Sequence, residues 1–150
     1  LINRAAVEKV HALVSAALAA GARALVGGTP GQGRFYPPTV LVDVPVDAAI
    51  LREEVFGPVA ALVPFDTTEE AIALANDTEY GLVSYVYTAD LARGLFVADR
   101  LEAGMVAVNR GLVSDPAAPF GGVKQSGLGR EGAHEGLLAY LETKYVAVSW

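Results

Sequence analysis

Cysteine is absent from the 150 residues, which excludes a disulfide, a thiolate metal site and a cysteine nucleophile within the chain. Methionine occurs once, at Met105, and the chain opens on Leu1. A translation product begins with methionine, so the sequence reads as a piece of a longer or processed protein. No stretch of 18 residues is free of both charge and proline, so no membrane partner is expected. No basic head followed by an apolar run marks a secretory leader, and a cytoplasmic protein is the expectation. Positive charge is scarce: 11 Lys and Arg stand against 17 Asp and Glu, a net charge of −6. That balance argues against nucleic acid as a partner. Histidine occurs only at His11 and His134, too far apart and too poorly accompanied to form a metal site.

What the chain has is apolar surface. Hydrophobic residues make up 53% and charged ones 19%, so the chain collapses rather than staying disordered. A monomer of 15.6 kDa exposes about 7,200 Å² folded against about 22,600 Å² unfolded, enough burial for one core. The apolar fraction is high for so little charge, and part of it reads as surface meant for something outside the chain.

Hydrophobic periodicity predicts a helix over 1–20, with Val7, Val10, Val14 and Leu18 on its inner stripe and Gly21 at its end. Arg23 to Gly28 is a short apolar run, and a Gly- and Pro-rich turn follows. Residues 39–43 read as an extended ribbon that nearby prolines confine to a sheet edge. Val59–Val63 is continuously apolar, the pattern of a strand covered on both faces. Thr67 and Glu70 offer a capping box for a helix through about Asn76. A strand over Leu82–Tyr87 and a helix over Ala89–Glu102 follow, the helix with Leu91, Leu95, Ala98 and Leu101 on one face. Met105–Val108 is a third strand. The order β-α-β-α-β predicts an α/β fold built on one parallel sheet. Residues 110–132 form a long Gly-, Pro- and Ser-rich loop, of a length that is usually functional or disordered. A short helix over 133–142 and a final strand over 143–150 close the chain.

Gly127-Leu128-Gly129-Arg130-Glu131-Gly132 fits G-x-G-x-x-G, but the dinucleotide mechanism needs it directly between a strand and a helix. Here a loop precedes it, and tight turning is the simpler use of these glycines. Ser114 and Ser126 lack a nucleophile elbow, which leaves them hydrogen-bonding roles. Glu53-Glu54-Val55-Phe56-Gly57-Pro58 allows two readings. It is either a pair of solvated acids, or an acid accepting from sugar hydroxyls beside an aromatic that flanks a ring. Spacing alone leaves both open.

Three ordered motifs carry a resemblance. Glu53–Pro58, Asn76-Asp77-Thr78-Glu79-Tyr80-Gly81-Leu82, and Pro119-Phe120-Gly121-Gly122-Val123-Lys124-Gln125-Ser126-Gly127-Leu128-Gly129-Arg130-Glu131 resemble signatures of the aldehyde dehydrogenases. Gly111–Ser114 and Tyr140–Tyr145 resemble those of succinate-semialdehyde dehydrogenases within that family. The resemblance implies that residues 1–138 are the C-terminal portion of a catalytic domain. Residues 139–150 then form an oligomerisation strand that joins a homo-oligomer. It implies NAD or NADP as cofactor and a small aldehyde as substrate, oxidised through a cysteine thioester. In cofactor binding, Glu54 resembles the acid that holds the nicotinamide ribose, and Phe56 the aromatic packed beside it. In substrate binding, Ser114 resembles the serine that helps hold a substrate carboxylate, and Phe120 the aromatic lining the substrate channel. Asn109 sits where the family ends a strand with asparagine, and Arg110 follows where relatives carry other residues. No catalytic residue falls within the chain, because the nucleophilic cysteine and general base lie upstream in the family. The chain alone is therefore expected to be inactive. The alternative is a non-catalytic, truncated interaction module that docks through its apolar face and end strand.

Overall fold

The computed structural model describes residues 1–150, which divide into two units, 1–66 and 67–150. The first is organised by one helix. Asn3 caps α1 (Arg4–Ala19) by accepting from the Ala6 N–H, a side-chain bond that satisfies one of the helix's orphan donors. Val7, Val10, Leu13, Val14 and Ala17 are buried along α1, so the helical stripe runs as the periodicity predicts. After Gly21, in the left-handed region at φ 112°, the chain enters a three-stranded sheet. Its strands are β1 (Arg23–Val26), β2 (Thr39–Val42) and β3 (Val59–Ala61), in the order β1-β2-β3. β1 pairs antiparallel with β2, and β2 pairs parallel with β3.

Two expectations change here. Residues 39–42 are the central strand, because Pro37 and Pro38 end just before Thr39 and every ladder donor of the strand survives. Leu41 is fully buried. The buried Thr39 hydroxyl donates to the Pro37 carbonyl and accepts from the Gly28 N–H, so its polar atom is satisfied. Conversely, β3 lies at the edge and is only partly covered. The core of the unit gathers α1, Tyr36, Leu41, Val44, Ala48 and Ile50. Burial pushes the Tyr36 phenol above its ordinary value.

In the second unit Thr67 caps α2 (Thr68–Asn76), accepting from the Glu70 N–H. β4 (Tyr80–Gly81) and β5 (Val83–Val86) follow. Asp90 then caps α3 (Leu91–Arg100), which leads to β6 (Met105–Val108). β5 pairs parallel with β6 over four residues, and α3 connects them, so this segment is the βαβ unit read from the sequence. β3 belongs to another sheet, which corrects the single continuous parallel sheet; the class remains α/β. The inner face of α3 is also different. Leu91 and Leu95 are exposed, while Gly94 is buried with its Cα against Val108 and Thr88. The helix approaches the sheet through its smallest residue, which shifts the contacting stripe by one position.

The long loop is ordered by pairing. β7 (Val123–Lys124) lies antiparallel to β4, and Phe120 forms an isolated bridge with Glu131. α4 (Ala133–Leu138) is shorter than the periodicity suggests. Residues 141–150 form no strand and are exposed, correcting the expected strand over 143–150 within this chain. Ala107 is the only fully buried apolar side chain of the second unit. The chain exposes 10409 Å², well above the roughly 7,200 Å² of a self-contained monomer of its mass. No helix is long and apolar enough to cross a membrane.

Candidate functional site

The Glu53–Pro58 turn leaves the 3-10 turn Ala49–Leu51 and leads into β3. Its position is set by α1. Lys9 Nζ donates to the Glu54 carbonyl oxygen. Gly57 lies so close to the helix that a Cβ there would meet Val10 Cγ2 at 2.7 Å. Only a residue without a side chain fits against Val10. The backbone is thus held from below, and the Glu54 carboxylate and Phe56 ring are left exposed.

Phe56 adopts φ +49° and is 81% exposed. A left-handed conformation costs a non-glycine residue about 1–2 kcal/mol, and an exposed phenylalanine recovers none of that by packing within the chain. Phe56 thus combines a left-handed backbone with an outward aromatic ring.

Ser114 and Phe120 lie in the second unit, on the loop after β6. Asn109, itself at φ 54°, begins that loop. Its side chain accepts from the Thr88 N–H and donates to the Thr88 carbonyl, at 2.9 and 2.8 Å. Both backbone groups of one residue are satisfied by one amide, which ties the ends of β5 and β6 together. Ser114 is exposed, and Phe120 is half-buried with its backbone bonded both ways to Glu131 at 2.8 and 2.7 Å. A hollow of about 230 Å³ lies beside this loop, walled by Met105, Ala107, Val113, Ala118 and Pro119 with Arg110 as its one charged residue. Ser114 and Phe120 flank these wall residues in sequence but do not line the hollow. A larger hollow of about 390 Å³ at the start of α1, with Arg4, His11 and Arg34, involves none of the four candidate residues.

The structure brings Glu54 and Phe56 together in one unit, and the loop carrying Ser114 and Phe120 falls in the other. Sequence reasoning passed over several residues that hold these segments. Asn76, Lys124 and Arg130 stand inside the quoted motifs, and their presence there was the available signal; Ser126, left a hydrogen-bonding role by the sequence, accepts from the Gly81 N–H. Lys9 stands outside every motif and had none.

A helix-backed turn that displays an acid and an aromatic in the first unit, and a parallel βαβ unit with a glycine-rich loop in the second, define the class as α/β. The aldehyde dehydrogenase family profile matches residues 1–146, and the chain belongs to that family. It is 56% identical over 151 residues to a succinate-semialdehyde dehydrogenase of Paenarthrobacter nicotinovorans, covering 99% of this chain and 34% of that protein. It is 51% identical to a glutarate-semialdehyde dehydrogenase of Pseudomonas putida, covering 99% and 31%. The solved structure of an NADP-dependent enzyme from E. coli superposes with a TM-score of 0.95 at 47% identity, over 100% of this chain and 32% of that one. The chain therefore spans about a third of the length of the relatives it matches.

If strain at Phe56 serves an outside contact, Phe56→Gly relieves it. Denaturant unfolding should show stability unchanged or raised by up to about 1 kcal/mol. A clear loss of stability would mean that the ring supports the fold.

Proposed function

We propose that this chain is the part of an NAD(P)-dependent semialdehyde dehydrogenase that holds the nicotinamide ribose and the far end of the substrate. The substrate class is an aldehyde bearing a terminal carboxylate, succinate semialdehyde or a similar semialdehyde, oxidised to the acid. The observation that carries this reading is the strained, outward Phe56 beside Glu54 on a turn pinned by Lys9 and Val10. The names of the relatives support the substrate class.

The residues suit the cofactor. A carboxylate accepts hydrogen bonds from both hydroxyls of a ribose, and charge strengthens them. A flat aromatic packs beside the sugar and ring. The nicotinamide, when bound, is the hydride acceptor. Within the chain, Glu54 orients the ribose, Phe56 limits its movement, Ser114 donates to the substrate carboxylate and Phe120 walls the channel. The thiol of the thioester route must come from outside residues 1–150, since the sequence has no cysteine. A thiolate is the stronger nucleophile at neutral pH, and no residue here substitutes for it.

Two variants in a full-length enzyme carrying this segment test the assignment. Glu54→Gln loses a charge-assisted bond worth about 1.5–3 kcal/mol, so cofactor KM should rise and kcat fall. Ser114→Ala should lower kcat/KM for succinate semialdehyde roughly 10- to 150-fold by the same bond energy, and spare uncharged aldehydes. Unchanged kinetics in the first, or equal losses on both substrate types in the second, would remove the residue from its role.

Residues 1–138 are, in this reading, part of the catalytic domain, and 139–150 an oligomerisation segment. Tyr140, Tyr145, Val146, Val148 and Trp150 are all exposed. An extended apolar segment with open backbone groups invites strand addition by another chain. The same exposure favours self-association of the chain without catalysis, the interaction-module alternative. Light scattering on the chain with and without residues 143–150 should show a dimer or larger species that shifts to smaller ones on deletion. A monomeric parent at high concentration would refute the pairing.

A further inference from the structure

Lys124 has a backbone conformation and a set of partners that neither the family profile nor the names of the relatives explain. It adopts φ +55°, the left-handed region, directly after Val123 in β7. Its ammonium group has three N–H donors and three acceptors: the Asn76 carbonyl at 2.8 Å, the Thr78 carbonyl at 3.1 Å and Glu102 Oε2 at 2.6 Å. All three donors are used, and the side chain is only 25% exposed against 59% for Glu102.

The acceptors come from two separate stretches. Asn76 and Thr78 end α2 and begin the turn into β4, and Glu102 follows α3. Asn76 joins these stretches a second time, donating to the Arg100 carbonyl and accepting from the Glu102 N–H, both at 2.8 Å. Lys124 brings in the third stretch, the loop of Phe120. Around it the backbones are in contact. The Ser126 hydroxyl accepts from the Gly81 N–H at 3.0 Å, Arg130 donates to the Gly122 carbonyl at 2.6 Å, and a Cβ at Gly104 would collide with the Gly121 carbonyl oxygen. With Ala107 the only buried apolar side chain of this unit, these close backbone contacts and polar bonds fix the loop.

We infer that Lys124 is a positioning residue: its ammonium, clamped to Asn76, Thr78 and Glu102, sets the placement of the loop bearing Phe120 and thereby the fit of the aldehyde substrate. The inference rests on the proposed role of Phe120 in the substrate channel. The clamp acts on the loop from its C-terminal side. The Glu131 bridge holds Phe120 across the loop, and Lys124 fixes the strand four residues further on. Charge matters as well as length, since a carboxylate and two carbonyls all face one cation.

The test uses the full-length enzyme bearing this segment, with Lys124→Met, Lys124→Arg, Glu102→Gln and Phe120→Ala. Lys124→Met keeps the length and removes the donors. Its aldehyde KM should rise about tenfold or more, since a misplacement of about 1 Å can cost on the order of 100-fold, while cofactor KM stays within about twofold. Lys124→Arg should recover most of the loss, and Glu102→Gln, which keeps one acceptor and the fold, should show the same direction in smaller measure. A Lys124→Met or Glu102→Gln enzyme with a lowered melting temperature but unchanged aldehyde KM would overturn the inference. Should Lys124→Met fail to fold, an unchanged aldehyde KM in Glu102→Gln overturns it equally. Phe120→Ala separates the two claims: an unchanged aldehyde KM there removes Phe120 from the channel, whereas a changed one beside silent Lys124 and Glu102 variants defeats the clamp alone.

Discussion

In the second unit, where buried apolar side chains are scarce, the three-way clamp of Lys124 joins the ends of α2 and α3 to the loop of Phe120. Apolar burial ordinarily supplies the dominant favourable term in folding, yet in residues 67–150 it reaches completion only at Ala107. Beside the strand ladders, directional bonds hold the unit: the Asn76 and Asn109 amides, the Ser126 hydroxyl and the Lys124 ammonium each close a backbone group of a distant segment, and the Arg130 guanidinium closes one within its own loop. A typical hydrogen bond adds only about 0.5–1.5 kcal/mol net, but an orphaned partner costs more than that. Such a network therefore specifies one arrangement more strongly than it stabilises it.

The first unit works the other way round. Its core, centred on α1 and Leu41, is closed and apolar, and that rigidity lets it hold a strained residue. Phe56 stays in the left-handed region because Gly57 is seated on Val10 and Glu54 is tied to Lys9. The cost of the strain falls on a well-packed helix and sheet, and the exposed acid and aromatic are the result.

Sequence pattern and structure agree where the signal is local. The stripe of α1, the Thr67 cap and the β5-α3-β6 unit each depend on residues within a few positions of one another. They part where the outcome depends on neighbours far along the chain. Prolines at 37 and 38 suggested an edge, but a proline hinders only its own ladder bond, and β2 begins after both. Five apolar residues at 59–63 suggested burial on two faces, but β3 is an edge strand and only partly covered. The leucines of α3 suggested its inner face, but Gly94 permits a closer approach than any leucine does. Of the candidate site, Glu54, Phe56, Ser114 and Phe120 were legible only through the family motifs. Lys9 was not legible at all, because a lysine on a helix carries no mark of the distant carbonyl it reaches.

In the proposed function, residues 1–150 supply the cofactor- and carboxylate-holding side of a semialdehyde dehydrogenase, and the nucleophile comes from outside them. Grafting the chain in place of the matching third of a succinate-semialdehyde dehydrogenase of known activity measures this directly, with reduced cofactor as the readout. The chimera should oxidise succinate semialdehyde while the isolated chain does not. A folded, cofactor-binding chimera without turnover, or turnover by the isolated chain, would contradict it.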